Sequence, residues 1–114
     1  MKAIELAEKA VQALEEKKCI NPVLFDVRNR PSVTDYYLVV SGTSGPHLKA
    51  MSVDLQKSLK EHGVYCFRKS GDPDHGWIAL DYVDLVIHIF SEEKRKYYAI
   101  EDLWREQNRL EPAE

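Results

Sequence analysis

Four histidines, two cysteines and a set of aspartates between Asp72 and Asp84 are the side chains with which this chain could do chemistry. His47, His62, His75 and His88 stand neither four apart on one helix nor in a zinc-ligand spacing, so no metal site is expected. Asp72 and Asp74 flank Pro73 in Ser-Gly-Asp-Pro-Asp-His-Gly, where aspartate is common because it hydrogen-bonds its own backbone. No serine or cysteine stands in a legible pairing with a base, which leaves the chain without a catalytic residue. Gly42-Thr43-Ser44-Gly45, at a strand-to-helix junction, could offer N–H groups to a phosphate. It lacks the lysine of a P-loop and the glycine spacing of a dinucleotide fingerprint, and Ser-Gly-Pro is equally the start signal of a helix. No cofactor is implied. A nucleotide-binding enzyme is the alternative to a binding protein.

The second kind of chemistry is recognition, and it centres on Trp77 to Phe90, which reads as a β-hairpin. A two-residue loop at Tyr82-Val83 would pair Asp81 with Asp84, Leu80 with Leu85, Ala79 with Val86, Ile78 with Ile87 and Trp77 with His88. Alternation then sends Ile78, Leu80, Leu85, Ile87 and Ile89 to one face, which helices must cover. Trp77, Ala79, Asp81, Asp84, Val86, His88 and Phe90 fall on the other, a mixture of aromatic and acidic groups that suits a docking surface. Two aspartates set opposite each other repel, and a basic partner arriving between them relieves the repulsion. Trp77 and His88 form either a stacked structural pair or a partner contact. Tyr97, Tyr98 and Trp104 recur at helical spacing with Glu101 close by, and serve as core or as a binding hot spot. The candidate partner-binding set is Trp77, Ala79, Asp81, Tyr82, Asp84, Val86, His88, Tyr98, Glu101 and Trp104.

The elements that must position these groups follow from periodicity. Met1 to Lys18 is an amphipathic helix with Ile4, Ala7, Val11 and Leu14 on its apolar face, stopped by Asn21-Pro22. Val23 to Arg28 and Asp35 to Ser41 suit strands, the second apolar enough to lie near the sheet centre. A helix with Leu48, Met51, Leu55 and Leu59 on one face runs to about His62, with Gly63 as its stop. Val64 to Lys69 alternates as a strand, Ser70 to Gly76 is a turn, and Ser91 caps a last helix with Glu92 and Glu93 in its first turn. Arg105 to Glu114 is polar and expected to fray. The order α-β-β-α-β-β-β-α gives a two-layer α/β (α+β) domain with a mixed five-stranded sheet, helices mainly on one face. The third helix would sit at the edge beside the hairpin. The domain spans residues 1–106, with 107–114 as a polar tail.

Over 114 residues, 44% are hydrophobic, enough for one core, and the formal charge of -3 argues against a general nucleic-acid binder. Little direct nucleic-acid contact is expected. Neither a membrane span nor a signal peptide is legible, and Cys19 and Cys66 lie in no paired spacing, so a soluble cytoplasmic protein with free thiols is expected. An open aromatic face also suggests a homodimer when the partner is absent.

The chain resembles the ribosomal silencing factor family, also called Iojap or YbeB-like, from its first helix to Trp104. The residues that carry the resemblance are Thr34-Asp35-Tyr36, Ser41-Gly42-Thr43-Ser44 with His47 and Ala50, Gly76-Trp77 leading into Asp81 to Phe90, and Tyr98 to Trp104. The family usually has glycine where this chain has Val83. The resemblance implies a non-enzymatic translational repressor that binds the large ribosomal subunit through a basic protein, uL14, and blocks joining of the small subunit when nutrients are scarce. It also implies a nucleotidyltransferase-like core. The catalytic carboxylates of such a core are missing from Val64 to Lys69, which holds no acid.

Overall fold

Leu6, Ala7, Ala10, Val11, Ala13 and Leu14 recur at helical spacing and form the buried stripe of α1 (Ala3–Glu16) in the computed structural model, which describes residues 2–29, 34–100 and 109–110. The helix ends earlier than the Asn21-Pro22 stop: Lys18 takes a left-handed φ of 59°, and the Cys19 N–H returns to the Leu14 carbonyl at 3.1 Å. Asn21 and Pro22 lie inside β1 (Ile20–Asp26), which begins three residues before the predicted strand. They fall where its pairing with β2 (Tyr36–Gly42) slips between Ile20 and Val23. A residue at φ 50° beside one with no N–H fits such a bulge.

Ser44 starts α2 (Gly45–Glu61) by accepting the His47 N–H on its Oγ at 3.2 Å, with Pro46 in the first turn. Gly63 ends it at φ 77°, and the Val64 N–H closes back on the Leu59 carbonyl at 3.0 Å. Beyond it come β3 (Arg68–Asp72), a 3₁₀ turn (Pro73–His75), β4 (Trp77–Asp81), β5 (Leu85–Ser91), α3 (Glu92–Tyr98) and the two-residue β6 (Arg109–Leu110).

Among the described residues the strands form one sheet in the order β3-β4-β5-β2-β1-β6. The β2–β5 pair is parallel and its neighbours are antiparallel, so the sheet is mixed as expected. Leu38 and Val40 of β2, Ile78 and Leu80 of β4, and Leu85, Ile87 and Ile89 of β5 meet Leu48, Met51, Leu55 and Leu59 of α2 and Val11 and Leu14 of α1 in a single core. Each fully buried aliphatic side chain there stabilises the fold by roughly 2 kcal/mol. β6 adds a strand to the predicted five, since Arg109 and Leu110, expected to fray, pair with Phe25 and Leu24.

Three expectations are corrected. β3 starts four residues later than Val64 and occupies part of the predicted turn. All five of its residues are exposed, so pairing with β4 and not apolar alternation selects it. Helix α3 packs on the second face instead of at the edge: the Arg95 Nη1 reaches the Ser41 Oγ at 3.1 Å and the Ile20 carbonyl at 3.4 Å, tying the helix across β2 and β1. Finally, the hairpin register is displaced by two residues. Trp77 pairs with Phe90, Ala79 with His88 and Asp81 with Val86, and the Tyr82 N–H donates to the Leu85 carbonyl at 2.8 Å around a Val83-Asp84 loop. A shift of two preserves the faces, since side chains alternate with period two.

The turn explains the register. Val83 sits at φ 75°, the Asp84 N–H donates to the Tyr82 carbonyl at 2.9 Å across it, and the Val83 N–H donates to Asp81 Oδ1 at 2.8 Å. This is a three-residue γ-turn, a strained conformation for a β-branched residue. Asp81 therefore holds the turn and pairs with Val86 instead of facing Asp84. Replacing Val83 with glycine should release strain worth about 1 kcal/mol net of the chain entropy that glycine adds. Urea unfolding should show the midpoint of Val83→Gly rising; a fall would mean the turn does not carry this strain.

Candidate functional site

The second face of the sheet is built in cross-strand rows by the observed registers. Trp77, Phe90 and Ser41 form one row, Ala79, His88 and Val39 the next, and Asp81, Val86 and Tyr37 the third. Val23 and Phe25 of β1 extend the last two rows. Val23, Phe25, Val27, Val39 and Phe90 are buried there, with Tyr37, Trp77 and Ile100 packed half-buried against them. A second, smaller core thus lies under α3 and leaves aromatic edges at the surface.

His88 is the centre of these rings. It stacks with Phe90 at 5.6 Å and an interplanar angle of 4°, with Tyr37 at 5.9 Å and with Trp77 at 6.4 Å. The Trp77 Nε1–H donates to His88 Nδ1 at 3.2 Å, which assigns the ring's own proton to Nε2. Trp77 reaches it from the diagonal position, because Ala79 is the directly paired residue. Burial without a countercharge lowers the His88 pKa to about 4, so the ring is neutral at physiological pH. Tyr37 is shifted the other way, first by burial and then by the Asp81 charge.

Tyr98, at the end of α3, leans on Phe90 at 5.7 Å and on Trp77 at 6.5 Å, and meets Tyr97 edge-on at 5.1 Å. Ala99 takes a left-handed φ of 48°, which ends the helix and turns Ile100 back toward the sheet. Trp77, Phe90, Tyr98 and Ile100 then line an apolar cleft of about 110 Å³, large enough for a small side chain. Gly71 makes room for Trp77: at φ 90°, a Cβ there would come within 2.5 Å of the Trp77 carbonyl oxygen.

Of the residues expected to bind a partner, Trp77, Ala79, Asp81, Val86, His88 and Tyr98 share this face. Asp84 is exposed at the hairpin tip, its side chain without an ion pair or hydrogen bond among the described residues. Tyr82 is a correction, because it is 6% exposed in the main core on the helix-covered face and cannot be reached from the second face. Glu101 and Trp104 lie outside the described residues. Tyr37 and Ile100 were not in the expected set. Alternation along Asp35 to Ser41 could have placed Tyr37 on this face; Ile100 belongs to the apolar pattern expected of the last helix, but its place here depends on α3 ending at Tyr98.

His47, Asp72 and His75, among the groups considered for catalysis, take part in structural hydrogen bonds. The Thr43 N–H donates to His47 Nδ1 at 2.9 Å, and His47 Nε2 meets the Lys17 carbonyl at 2.7 Å, so the imidazole takes up one N–H of the Gly42 to Gly45 loop and ties it to the end of α1. β3, with its shifted bounds, does end in an acid, Asp72. Its carboxylate accepts the Asp74 N–H and contacts His75 Nδ1, both at 2.9 Å, and these bonds lower its pKa. Burial raises Cys19 to about 11 and lifts Cys66 above its usual range, so neither is a thiolate at neutral pH. Among the described residues no cluster of metal ligands exists, and no helix is long and apolar enough to cross a membrane.

A model of the family described as ribosomal silencing factor during starvation matches residues 1–114, the whole chain. The chain belongs to this family. A ribosomal silencing factor of Halalkalibacterium halodurans is 31% identical over 100 residues, covering 88% of this chain and 86% of that one. A mouse protein named for mitochondrial assembly of the ribosomal large subunit is 31% identical over 97 residues, covering 82% of this chain and 42% of its own. A crystal structure from Chromobacterium violaceum superposes with a TM-score of 0.88 at 31% identity, covering 99% of this chain and 92% of that one.

The neutral His88 makes the aromatic face sensitive to acid. Above pH 6.5 the folded and unfolded chains both hold the ring uncharged, and the shift contributes nothing. As pH falls from 6.5 toward 4, the unfolded chain takes up a proton that the folded one refuses, and stability is lost. The loss between pH 7 and 4.5 should be about 2 kcal/mol. Urea unfolding at both pH values should show this loss in the parent and a smaller one in His88→Gln; equal losses would assign the acid sensitivity to other groups.

Proposed function

We propose that this protein lowers translation by binding the large ribosomal subunit through a basic ribosomal protein, uL14, and thereby blocking joining of the small subunit. Membership of the silencing-factor family supports the regulatory role. The name of the mouse relative, which ties that protein to the large subunit, supports the choice of subunit. The observation that carries the docking surface is the aromatic second face: Trp77 and Tyr98 bound an apolar cleft, while Asp81 and Asp84 stand at the hairpin tip beyond it. An apolar anchor with carboxylates at the far end of the same hairpin fits a partner that carries a small apolar knob and, a strand's length away, basic groups. In the absence of that partner, the same face is where two copies would pair.

The test mixes separated ribosomal subunits with excess protein and sediments them through a sucrose gradient. The protein should travel with the large subunit and reduce the yield of joined ribosomes. Asp84→Lys combined with Asp81→Asn removes the tip's negative charge while keeping an oxygen at position 81 for the Val83 N–H. Affinity for the large subunit should fall at least about tenfold, because like charges then meet across the interface. If the double variant keeps subunits apart as well as the parent, the hairpin tip is not the contact.

Trp77→Ala should weaken the same binding by at least about 2 kcal/mol, roughly thirtyfold, as expected of an aromatic anchor. Because Trp77 also packs against Phe90 and His88, the variant's fold is checked by thermal melting. Undiminished binding in a folded Trp77→Ala variant would remove the cleft from the interface.

A further inference from the structure

The whole chain carries a net charge of -3, yet the stretch from Lys57 to Lys69 holds four cations, Lys57, Lys60, Arg68 and Lys69, against the single acid Glu61. None of the four forms an ion pair among the described residues. Two large rings stand exposed among them: Tyr65 is 66% exposed and Phe67 is 65% exposed. Val64 and Cys66, on either side of Tyr65, are partly buried against the core, and the Phe67 N–H donates to the Asp81 carbonyl at 2.8 Å, which anchors the segment beneath the two exposed rings. Each ring has a cation over it, Lys60 Nζ at 5.9 Å from the Tyr65 centroid and the Arg68 guanidinium at 5.6 Å from that of Phe67. The patch lies at the exposed β3 edge of the sheet, where Arg68 pairs with Asp81 and Lys69 with Leu80, at the opposite end of β4 from Trp77.

From this arrangement we infer that the segment from Lys60 to Lys69 is a binding site for single-stranded RNA, with Tyr65 and Phe67 stacking on unpaired bases and Lys60, Arg68 and Lys69 meeting phosphates. Exposed ring faces separate this occupant from an acidic protein surface, which would use the cations alone. A base has a flat face to offer each ring, and the cation over a ring leaves its other side free. A double-stranded partner is disfavoured, because its bases are already stacked and shielded from the rings. The site goes beyond the proposed docking on a ribosomal protein and does not depend on it.

The test is fluorescence anisotropy of the full chain with a labelled twelve-nucleotide single-stranded RNA of mixed sequence, titrated at several salt concentrations. Binding should weaken with salt with a log–log slope of about -2, from three phosphate contacts at roughly 0.7 each. Tyr65→Ala with Phe67→Ala should lower affinity at every salt concentration by about 5- to 100-fold per ring, with the slope unchanged. Arg68→Gln with Lys69→Gln should reduce the slope by about 1.4. All four side chains are exposed, so both variants should melt near the parent temperature, and if the ring variant does not fold, the slope of the cation variant decides. No binding at 50 mM salt, equal binding by the variants, equal binding of the pre-formed duplex, or displacement by an oligoglutamate as readily as by unlabelled RNA would each overturn the site. Since a free oligonucleotide involves no ribosomal protein, such a failure would leave the proposed function standing.

Discussion

Seven consecutive parallel pairs join β2 to β5, from Tyr36 with Leu85 to Gly42 with Ser91, and both faces of the molecule are laid out on this seam. Parallel strands cannot be joined by a tight turn, so the chain between them must cross over, and α2 is the crossing element. That crossing commits α2 to one face and forces Leu38, Val40, Ile87 and Ile89 beneath it. The residues of opposite parity, Tyr37, Val39, His88 and Phe90, are thereby assigned to the other face. At the same end of the seam, Ser44 and Ser91 each cap a helix by accepting an N–H three residues on. The second of these helices carries Tyr98 onto the face that α2 left uncovered.

The two faces answer different requirements with the same strands. The helix-covered face is aliphatic and closed, with Leu80, Leu85 and Ile87 fully buried. The other is aromatic and covered by a short helix, tied down by Arg95 to Ser41 and Ile20. Aromatic rings suit a surface that is half covered, because they pack over large areas while presenting an edge or a polar tip to the solvent. His88 shows the constraint most directly: it is polar enough to accept the Trp77 indole N–H, yet sits where a charge is not tolerated. A residue of that kind orders its neighbours without contributing a charge to the field of the surface.

Much of this was legible from periodicity, and the exceptions have identifiable causes. The helices α1 and α2 and the parity of β4 and β5 follow from apolar spacing of 3.6 and of 2, which survives small errors in bounds. The hairpin register failed because the side chain of Asp81 stabilises a γ-turn at Val83 that β-propensity rejects; a local hydrogen bond outweighed a statistical preference. β3 was misplaced because an edge strand needs no buried face, and Val64 and Cys66 carry an alternation that belongs to the core's rim. Tyr82 belongs to the main core because its neighbour Asp81 occupies the parity of the second face. The cleft itself could not be foreseen, since Ile100 enters it only through the left-handed residue Ala99.

Gly71 has a wider effect than making room for Trp77. An open sheet ends in rows of unpaired backbone groups that invite other chains to add strands, and this sheet has two such ends. At the β1 end, β6 occupies part of the row. At the β3 end, Gly71 takes a left-handed φ of 90° within the strand while still pairing with Ile78, which departs from regular strand geometry, and Arg68 and Lys69 place positive charge on the residues before it. A second copy of the chain would have to bring the same two cations to the same bent edge. The molecule is thus guarded against growing sideways into fibres while its broad aromatic face stays available, so sociability is confined to the side where geometry limits the number of guests.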